Sequence, residues 1–129
     1  MNKIIVEVSI GELLDKISIL EIKQEKIKDP EKLKFINNEH SILEGQLKKS
    51  VKSDDKLNNL YQSLKEINAK LWVIEDDKRQ CEKDKNFGEK FIKLSRDVHF
   101  LNDDRAKIKL EINNHTGSVI KEIKEYTNY

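Results

Sequence analysis

Two long stretches of the chain carry apolar residues at alternating steps of three and four, and this spacing most restricts the possible fold. The repeated positions are Leu57, Leu60, Leu64, Ile67, Leu71 and Ile74 in the first stretch, and Phe91, Leu94, Val98, Leu101, Ile108 and Ile112 in the second. An average spacing of about 3.5 residues puts these side chains on one helical stripe and favours near-parallel lengthwise packing. We therefore expect an all-α fold built on a long antiparallel helical hairpin or bundle.

Capping residues and helix breakers divide the chain into about four helices. Asp29 can cap a helix, and Pro30 suits a first helical position, where no amide partner is lost. Ser9 and Glu12 fit a capping box at the start of an earlier helix. The predicted helices are 10–28, 30–50, 54–83 and 88–114, with a short helical tail at 118–126. Residues 1–129 are expected to form a single helical domain.

The N-terminal segment departs from the helical pattern. Residues 3–8 are rich in β-branched side chains and predict a short β-strand. A single strand is not stable alone. It would have to pair with the C-terminal tail, pair with its copy in a second subunit, or lie extended against the helices.

Composition excludes several classes of protein. Charged residues make up 38% of the chain, yet the net charge is only +1 and both signs alternate along each helix, so nucleic acid is not an expected partner. No apolar run approaches the roughly 20 residues of a membrane span. The lone Cys81 excludes an internal disulfide framework. Because the first residues do not resemble a signal peptide, the expected location is cytoplasmic.

Three segments resemble a known family. They are residues 9–23 (SIGELLDKISILEIK), 69–82 (AKLWVIEDDKRQCE) and 102–113 (NDDRAKIKLEIN), the last followed by Gly117-Ser118. They look like a family of bacterial and phage proteins of unknown function, sometimes found beside polysaccharide or glycosyltransferase genes. The resemblance covers nearly the whole chain and is weakest at 31–60; Ile10 stands where the family's opening is expected to carry Pro. It implies no activity.

A polar block on the third helix is the first candidate site. Glu75 and Arg79 are four residues apart, which allows an exposed ion pair worth a few tenths of a kcal/mol. In the alternative interpretation, Trp72, Asp76 and Arg79 line a polar cleft, where the indole offers a face to a ring or a sugar.

Arg105 is the second candidate, because it occupies a position where the repeat would place Leu or Ile. Burying a guanidinium costs several kcal/mol unless acids bind its donors. Asp103 and Asp104 project elsewhere, so a partner is expected from another helix; the available acids are Glu12, Asp15, Glu21, Glu75 and Asp76. A structural ion pair and a ligand contact, with Asn102 nearby, both remain open.

The sequence predicts neither a metal site nor a cofactor. Glu12, Asp15, Glu75 and Asp76 could in principle surround Mg²⁺, but Lys16 would intrude and no doubled acidic motif is present. No two of the three histidines have the four-residue spacing of a helical zinc site. We interpret His40 as a core or interface histidine.

These features of the sequence are consistent with two alternative functions. The preferred expectation is a helical interaction or assembly module that forms a homodimer or binds another protein. The alternative is a binder of a small anionic or sugar-like ligand, with an enzymatic role left open, whose pocket lies between the first, third and fourth helices. The candidate binding residues are Glu12, Asp15, Trp72, Glu75, Asp76, Arg79, Arg96, Asn102 and Arg105. The first function predicts that the three arginines lie apart, or in plain salt bridges with no cavity beside them. The second predicts that one concave surface brings together Glu12, Asp15, Trp72, Glu75, Arg79, Asn102 and Arg105.

Overall fold

The computed structural model of the protein describes residues 2–129 and contains four helices. They are α1 (Ile10–Lys26), α2 (Pro30–Ser50), α3 (Asp55–Asp84) and α4 (Glu89–Thr116). The predicted all-helical fold is confirmed. Within residues 2–129, none of the helices has both the length and the apolar character needed to cross a membrane.

Local capping explains where the helices begin. The Ser9 hydroxyl accepts a hydrogen bond from the Glu12 amide at 3.1 Å, and Asp54 accepts one from the Leu57 amide at 2.7 Å. These side chains satisfy amides that lack a partner in the first helical turn. At the other end, α4 stops at Gly117, whose φ of 67° lies in the left-handed region that glycine adopts without strain.

The antiparallel pair α3 and α4 forms the long hairpin. Leu57, Leu64 and Ile112 meet in its core together with Leu14 from α1. Helix α1 contacts the other three helices, whereas α2 packs along α1 and has no buried residue. At 1.5 Å per residue, α1 is about 26 Å long and α3 about 45 Å, so the tip of the hairpin projects beyond α1.

The β-strand predicted for residues 3–8 is wrong. Residues 2–9 have no regular secondary structure, and Ile4 and Ile5 are 89% and 85% exposed. A β-branched segment forms a ladder only beside another extended backbone with free hydrogen-bonding groups. Among residues 2–129 no segment forms a strand, so residues 3–8 are part of no ladder.

The short helical tail predicted for residues 118–126 is also wrong, because tertiary contacts hold this segment in a non-helical path. The buried Ser118 hydroxyl accepts a hydrogen bond from the Ile10 amide at 3.1 Å and donates one to the Ile120 carbonyl at 2.7 Å. Further along, the Tyr129 hydroxyl donates to Asp103 on α4. The tail therefore follows the surface of α4.

Candidate functional site

An ion pair between α1 and α4 forms the centre of the candidate site. The carboxylate of Asp15 accepts hydrogen bonds from Nε of Arg105 at 2.9 Å and from Nη2 of the same guanidinium. This two-point contact uses the planar geometry of both groups. Asn68 Nδ2, from α3, donates to the same carboxylate at 2.8 Å. Three helices thus meet at one carboxylate, whose side chain is only 2% exposed.

The surroundings of Asp15 keep it ionised. Burial alone would raise the pKa of Asp15, but hydrogen bonds from Arg105 and Asn68 and the charges of Arg105 and Lys109 outweigh that effect. The pKa of Asp15 therefore lies below its ordinary value of 3.8. The hydrogen bond to Asp15 in turn raises the pKa of Arg105. Both groups are charged at neutral pH, and together they form a fixed structural pair.

A face of small and polar residues on α1 allows Asp15 to reach the other helices. Gly11, Asp15 and Ser18 recur at steps of four and three, and all three are buried. The Ser18 hydroxyl donates to the Asp15 carbonyl at 2.7 Å and accepts from Asn68 Nδ2 at 2.8 Å. At Gly11, helices α1 and α4 are so close that an added Cβ would lie 2.6 Å from the Lys109 carbonyl oxygen.

A second cation, Lys109, extends this network along α4. Its Nζ lies 2.7 Å from Glu12, 3.8 Å from Asp15 and 3.5 Å from Glu122. Lys109 follows Arg105 by four residues, so both project from one face of α4. That spacing is visible in the sequence and could have identified Lys109, which our sequence analysis missed.

A cleft of about 450 Å³ opens beside the ion pair, between α1, α3 and α4. Its lining residues are Ile19 and Ile22 of α1, Asn68, Leu71, Trp72, Glu75, Asp76 and Arg79 of α3, and Asn102 and Arg105 of α4. The other α3 residues follow Asn68 by 3, 4, 7, 8 and 11 positions and so share one face of the helix. Pockets that bind small molecules typically measure about 300–1,000 Å³, so the cleft has a suitable size.

Several charged groups of the cleft form no ion pair within the part of the chain that the structure describes. Among residues 2–129, no ion pair involves Glu75, Asp76 or Arg79. The exposed Glu75–Arg79 pair that the spacing allowed is therefore not formed. Arg105 is bound by Asp15 on one edge, while its Nη1 donates to Asn102 Oδ1 at 3.3 Å.

The structure brings most of the sequence-predicted residues together. Six line the cleft, namely Trp72, Glu75, Asp76, Arg79, Asn102 and Arg105, and Asp15 lies behind Arg105. Two lie elsewhere. Glu12 binds a lysine of α4, and Arg96 stands 5.8 Å from the centroid of the Phe100 ring, outside the cleft.

Asn68 is a site residue that the sequence did not indicate. It follows Ile67 in the repeat, next to the predicted seam, and nothing in its neighbours along the chain distinguishes it from a solvated Asn. Its role depends on Asp15, which lies 53 residues earlier and reaches it only in the folded protein. No local signal could have revealed this contact.

The residue types in the cleft suit binding by charge, hydrogen bonding and stacking. Guanidinium groups bind anions through several directed donors, and carboxylates accept hydrogen bonds from hydroxyls. The indole of Trp72 offers an apolar face to a ring. None of the ten lining residues is Ser, Thr, Cys, His or Lys, so a nucleophile for covalent chemistry would have to be a carboxylate.

Comparison with known proteins identifies a family without supplying an activity. A model described as a family of unknown function (DUF6165) matches residues 4–129. The resemblance that the sequence motifs indicated is confirmed at the level of a family of unknown function. No curated protein and no solved structure matches the chain.

Proposed function

We propose a function for this protein, which belongs to the DUF6165 family: it binds a small ligand that carries an anionic group and hydroxyl groups, such as a sugar phosphate, in the cleft between α1, α3 and α4. The observation that supports this proposal is the convergence on one concave surface of Glu75, Asp76 and Arg79, which form no ion pair among residues 2–129. Polar groups that meet in a pocket are the ordinary sign of a ligand site.

The two arginines of the cleft supply the binding site for the anion. Arg79 has no ion-pair partner within residues 2–129, and Arg105 is held in place by Asp15 before any ligand arrives. A guanidinium whose position is already fixed loses little conformational entropy on binding. Arg105, whose charge is balanced by Asp15, thus provides fixed N–H donors, and Arg79 provides a cation that can adjust to the ligand.

The remaining groups of the cleft suit the uncharged part of such a ligand. Trp72 is half-buried, so one part of its ring is supported by protein while another stays available for stacking. Glu75 and Asp76 can accept hydrogen bonds from hydroxyl groups. Their negative charge disfavours a bare polyanion, which is why we expect a phosphate joined to a hydroxylated ring.

A binding experiment with matched variants tests this proposal. Trp72 is the only tryptophan of the chain, so its fluorescence reports directly on the cleft. We expect glucose 6-phosphate to change this fluorescence and to bind more tightly than either glucose or inorganic phosphate. Arg79→Gln should weaken binding by roughly 10–100-fold, because it removes a charge-assisted hydrogen bond worth about 1.5–3 kcal/mol.

Arg96→Gln is the matched control, because Arg96 lies outside the cleft and its loss should leave the affinity unchanged. A panel of nucleotides and other sugar phosphates, measured by thermal shift, extends the search for the preferred ligand. Equal affinities of the Arg79→Gln and Arg96→Gln variants, or no response to any member of the panel, would contradict the proposal.

An assembly function is the second candidate, and a separate groove favours it. The groove measures about 650 Å³ and is lined by Ala69, Lys70, Val73, Ile74, Asp97, Phe100 and Leu101, none of which lines the cleft. Val73 and Phe100 remain 48% and 40% exposed there. In a two-fold dimer, Lys70 of each copy could face Asp97 of the other. We propose that this face pairs two chains in a coiled-coil-like homodimer, in the cytoplasm.

The mass of the protein in solution tests the assembly proposal. We expect twice the chain mass of 15.2 kDa by size-exclusion chromatography with light scattering. Val73→Lys should yield the monomer, because it places a charge in the apolar centre of the interface. Ile42→Lys on α2 is the control, since Ile42 is also exposed but lies outside the groove. A monomeric wild-type protein at all concentrations would rule this assembly out.

A further inference from the structure

An imidazole and two carboxylates meet between α1 and α2, away from the cleft. His40 Nε2 lies 3.1 Å from Glu21 Oε2 and 3.8 Å from Glu44 Oε2. The three ligand-type atoms all lie within 4.8 Å of one another, and each side chain is partly buried. None of these residues lines the cleft. We propose that Glu21, His40 and Glu44 bind a divalent transition metal ion of the Zn²⁺ type.

The spacing of the three atoms is close to what such an ion needs. A tetrahedral Zn²⁺ with bonds of about 2.1 Å holds its ligand atoms about 3.4 Å apart. The distances from His40 Nε2 to the two carboxylates, 3.1 Å and 3.8 Å, bracket this value. His40 and Glu44 are four residues apart on α2 and so share one face of the helix, and all three ligand atoms lie within 4.8 Å of one another.

Neighbouring groups hold the Glu21 carboxylate in the required orientation. The Tyr61 hydroxyl donates a hydrogen bond to Oε1 of Glu21, and Lys65 Nζ lies 3.6 Å from the same oxygen. Oε2 is thereby left to face His40. Hydrogen bonds of this kind orient the ligands of metal sites and contribute to affinity.

A cavity next to the three residues provides room for a further ligand. It measures about 320 Å³, and its lining includes Glu21, Glu44, Tyr61 and Lys48. Three protein ligands and an open position are typical of zinc sites that bind water or a small molecule. The imidazole in the set favours Zn²⁺, Co²⁺ or Ni²⁺ over Mg²⁺, which prefers oxygen ligands alone.

Two features of the structure concern the effects of metal binding: a lysine that opposes it, and a helix that it would hold in place. Lys65 Nζ lies 3.6 Å from Glu21 and 3.1 Å from Glu25, and its positive charge opposes the binding of a cation at Glu21. Helix α2 has no buried residue of its own and packs along α1. An ion bound by residues of both helices would therefore link α2 to α1.

Metal titration of the untagged, metal-free full chain tests the proposal. We expect calorimetry to show one Zn²⁺ bound per chain. We expect bound Co²⁺ to give the visible absorption of a low-coordinate site, and this absorption to disappear when Zn²⁺ displaces the Co²⁺. His40→Gln and Glu44→Gln should each lower the affinity by roughly 100-fold or more, since even supporting contacts contribute about 10–100-fold. Both side chains are partly exposed, and circular dichroism verifies that the variants fold.

Controls separate this site from other sources of metal binding. Glu39→Gln on the exposed side of α2, and His99→Gln on α4, should leave the affinity unchanged. Lys65→Met should raise the affinity for Zn²⁺, because it removes an opposing charge. Binding of Zn²⁺ should also slow hydrogen exchange in α2. Arg79→Gln, which tests the cleft, should leave the affinity for Zn²⁺ unchanged.

Four outcomes would overturn the proposal: no binding of Zn²⁺ or Co²⁺; affinity retained in His40→Gln; Mg²⁺ binding as tightly as Zn²⁺; or loss of binding in His115→Gln. The last would assign the ion to the His115–Asp54 pair, whose atoms lie 2.8 Å apart.

Discussion

Asp15→Ala is expected to lower the free energy of unfolding by about 3 kcal/mol, the largest stability effect we predict for a single substitution. Removal of one partner from a buried ion pair leaves the other charge unpaired, which typically costs about 3–5 kcal/mol. We expect the lower end of that range because the Arg105 side chain keeps 26% exposure and can recover some hydration. Asn68 and Lys109 would also lose a partner.

Urea denaturation measures this effect. With a slope of about 1–3 kcal/mol/M for a small protein, the midpoint should fall by roughly 1–3 M. Asp104→Ala is the matched control, because Asp104 is an exposed acid of α4 with no ion pair among the described residues. The double variant Asp15→Leu/Arg105→Leu should recover part of the loss, since it removes both charges. A loss below about 1 kcal/mol in Asp15→Ala would show that the pair does not hold the helices together.

The same carboxylate makes stability depend on pH in a defined direction. Because the folded-state pKa of Asp15 lies below its ordinary value of 3.8, its contribution is fully present above that value. It is lost as the pH falls further, through the folded-state pKa. The wild-type protein should therefore lose more stability than Asp15→Asn as the pH falls below about 4. Parallel pH profiles of the two proteins would contradict this assignment.

Gly11→Ala is expected to destabilise the protein by about 1–3 kcal/mol, although alanine is the better helix former. A Cβ at this position would lie 2.6 Å from the Lys109 carbonyl oxygen and 2.9 Å from Asn113 Oδ1. The first of these atoms belongs to the backbone of α4 and cannot move without shifting the helix. The Gly11 amide also donates to Asn113 Oδ1 at 2.7 Å, and this bond would be displaced. Thermal and urea denaturation measure the loss.

Gly45→Ala is the matched control for this prediction and should have the opposite sign. Apart from the adjoining residues and backbone of α2 itself, no atom of the described residues lies within 4 Å of a Cβ built at Gly45. Replacement of an interior helical glycine by alanine typically stabilises by about 0.5–1 kcal/mol, because glycine loses more backbone freedom on folding. Stabilisation by both substitutions would mean that α1 and α4 are less closely packed than the structure indicates.

The helices could be predicted because their determinants are local. The predicted ends lie within two residues of the observed ones: the second helix was expected at 30–50 and is Pro30–Ser50, and the first was expected at 10–28 and is Ile10–Lys26. Caps such as Ser9 act over three residues, and the apolar repeat acts over one or two turns. Such signals are recognisable from a few neighbouring residues of the sequence.

The two ends of the chain were mispredicted because their conformation depends on distant partners. Residues 3–8 have the composition of a strand, but no partner strand forms among residues 2–129. Residues 118–126 are held by contacts of Ser118 with Ile10 and of Glu122 with Lys109. Where tertiary contacts compete with weak local preference, the tertiary contacts decide.

The sequence by itself determined the helical class, the positions of the helices and the set of charged residues that needed an explanation. Only the tertiary structure decided that Asp15, 90 residues before Arg105, is its partner, that Arg79 lines a cleft without an ion pair among residues 2–129, and that Arg96 lies outside this cleft. The physical reason is the separation along the chain over which each determinant acts. Helix formation is governed by groups within a few residues of one another, whereas a buried charge is satisfied by whichever acid the packing of three helices brings within hydrogen-bonding distance.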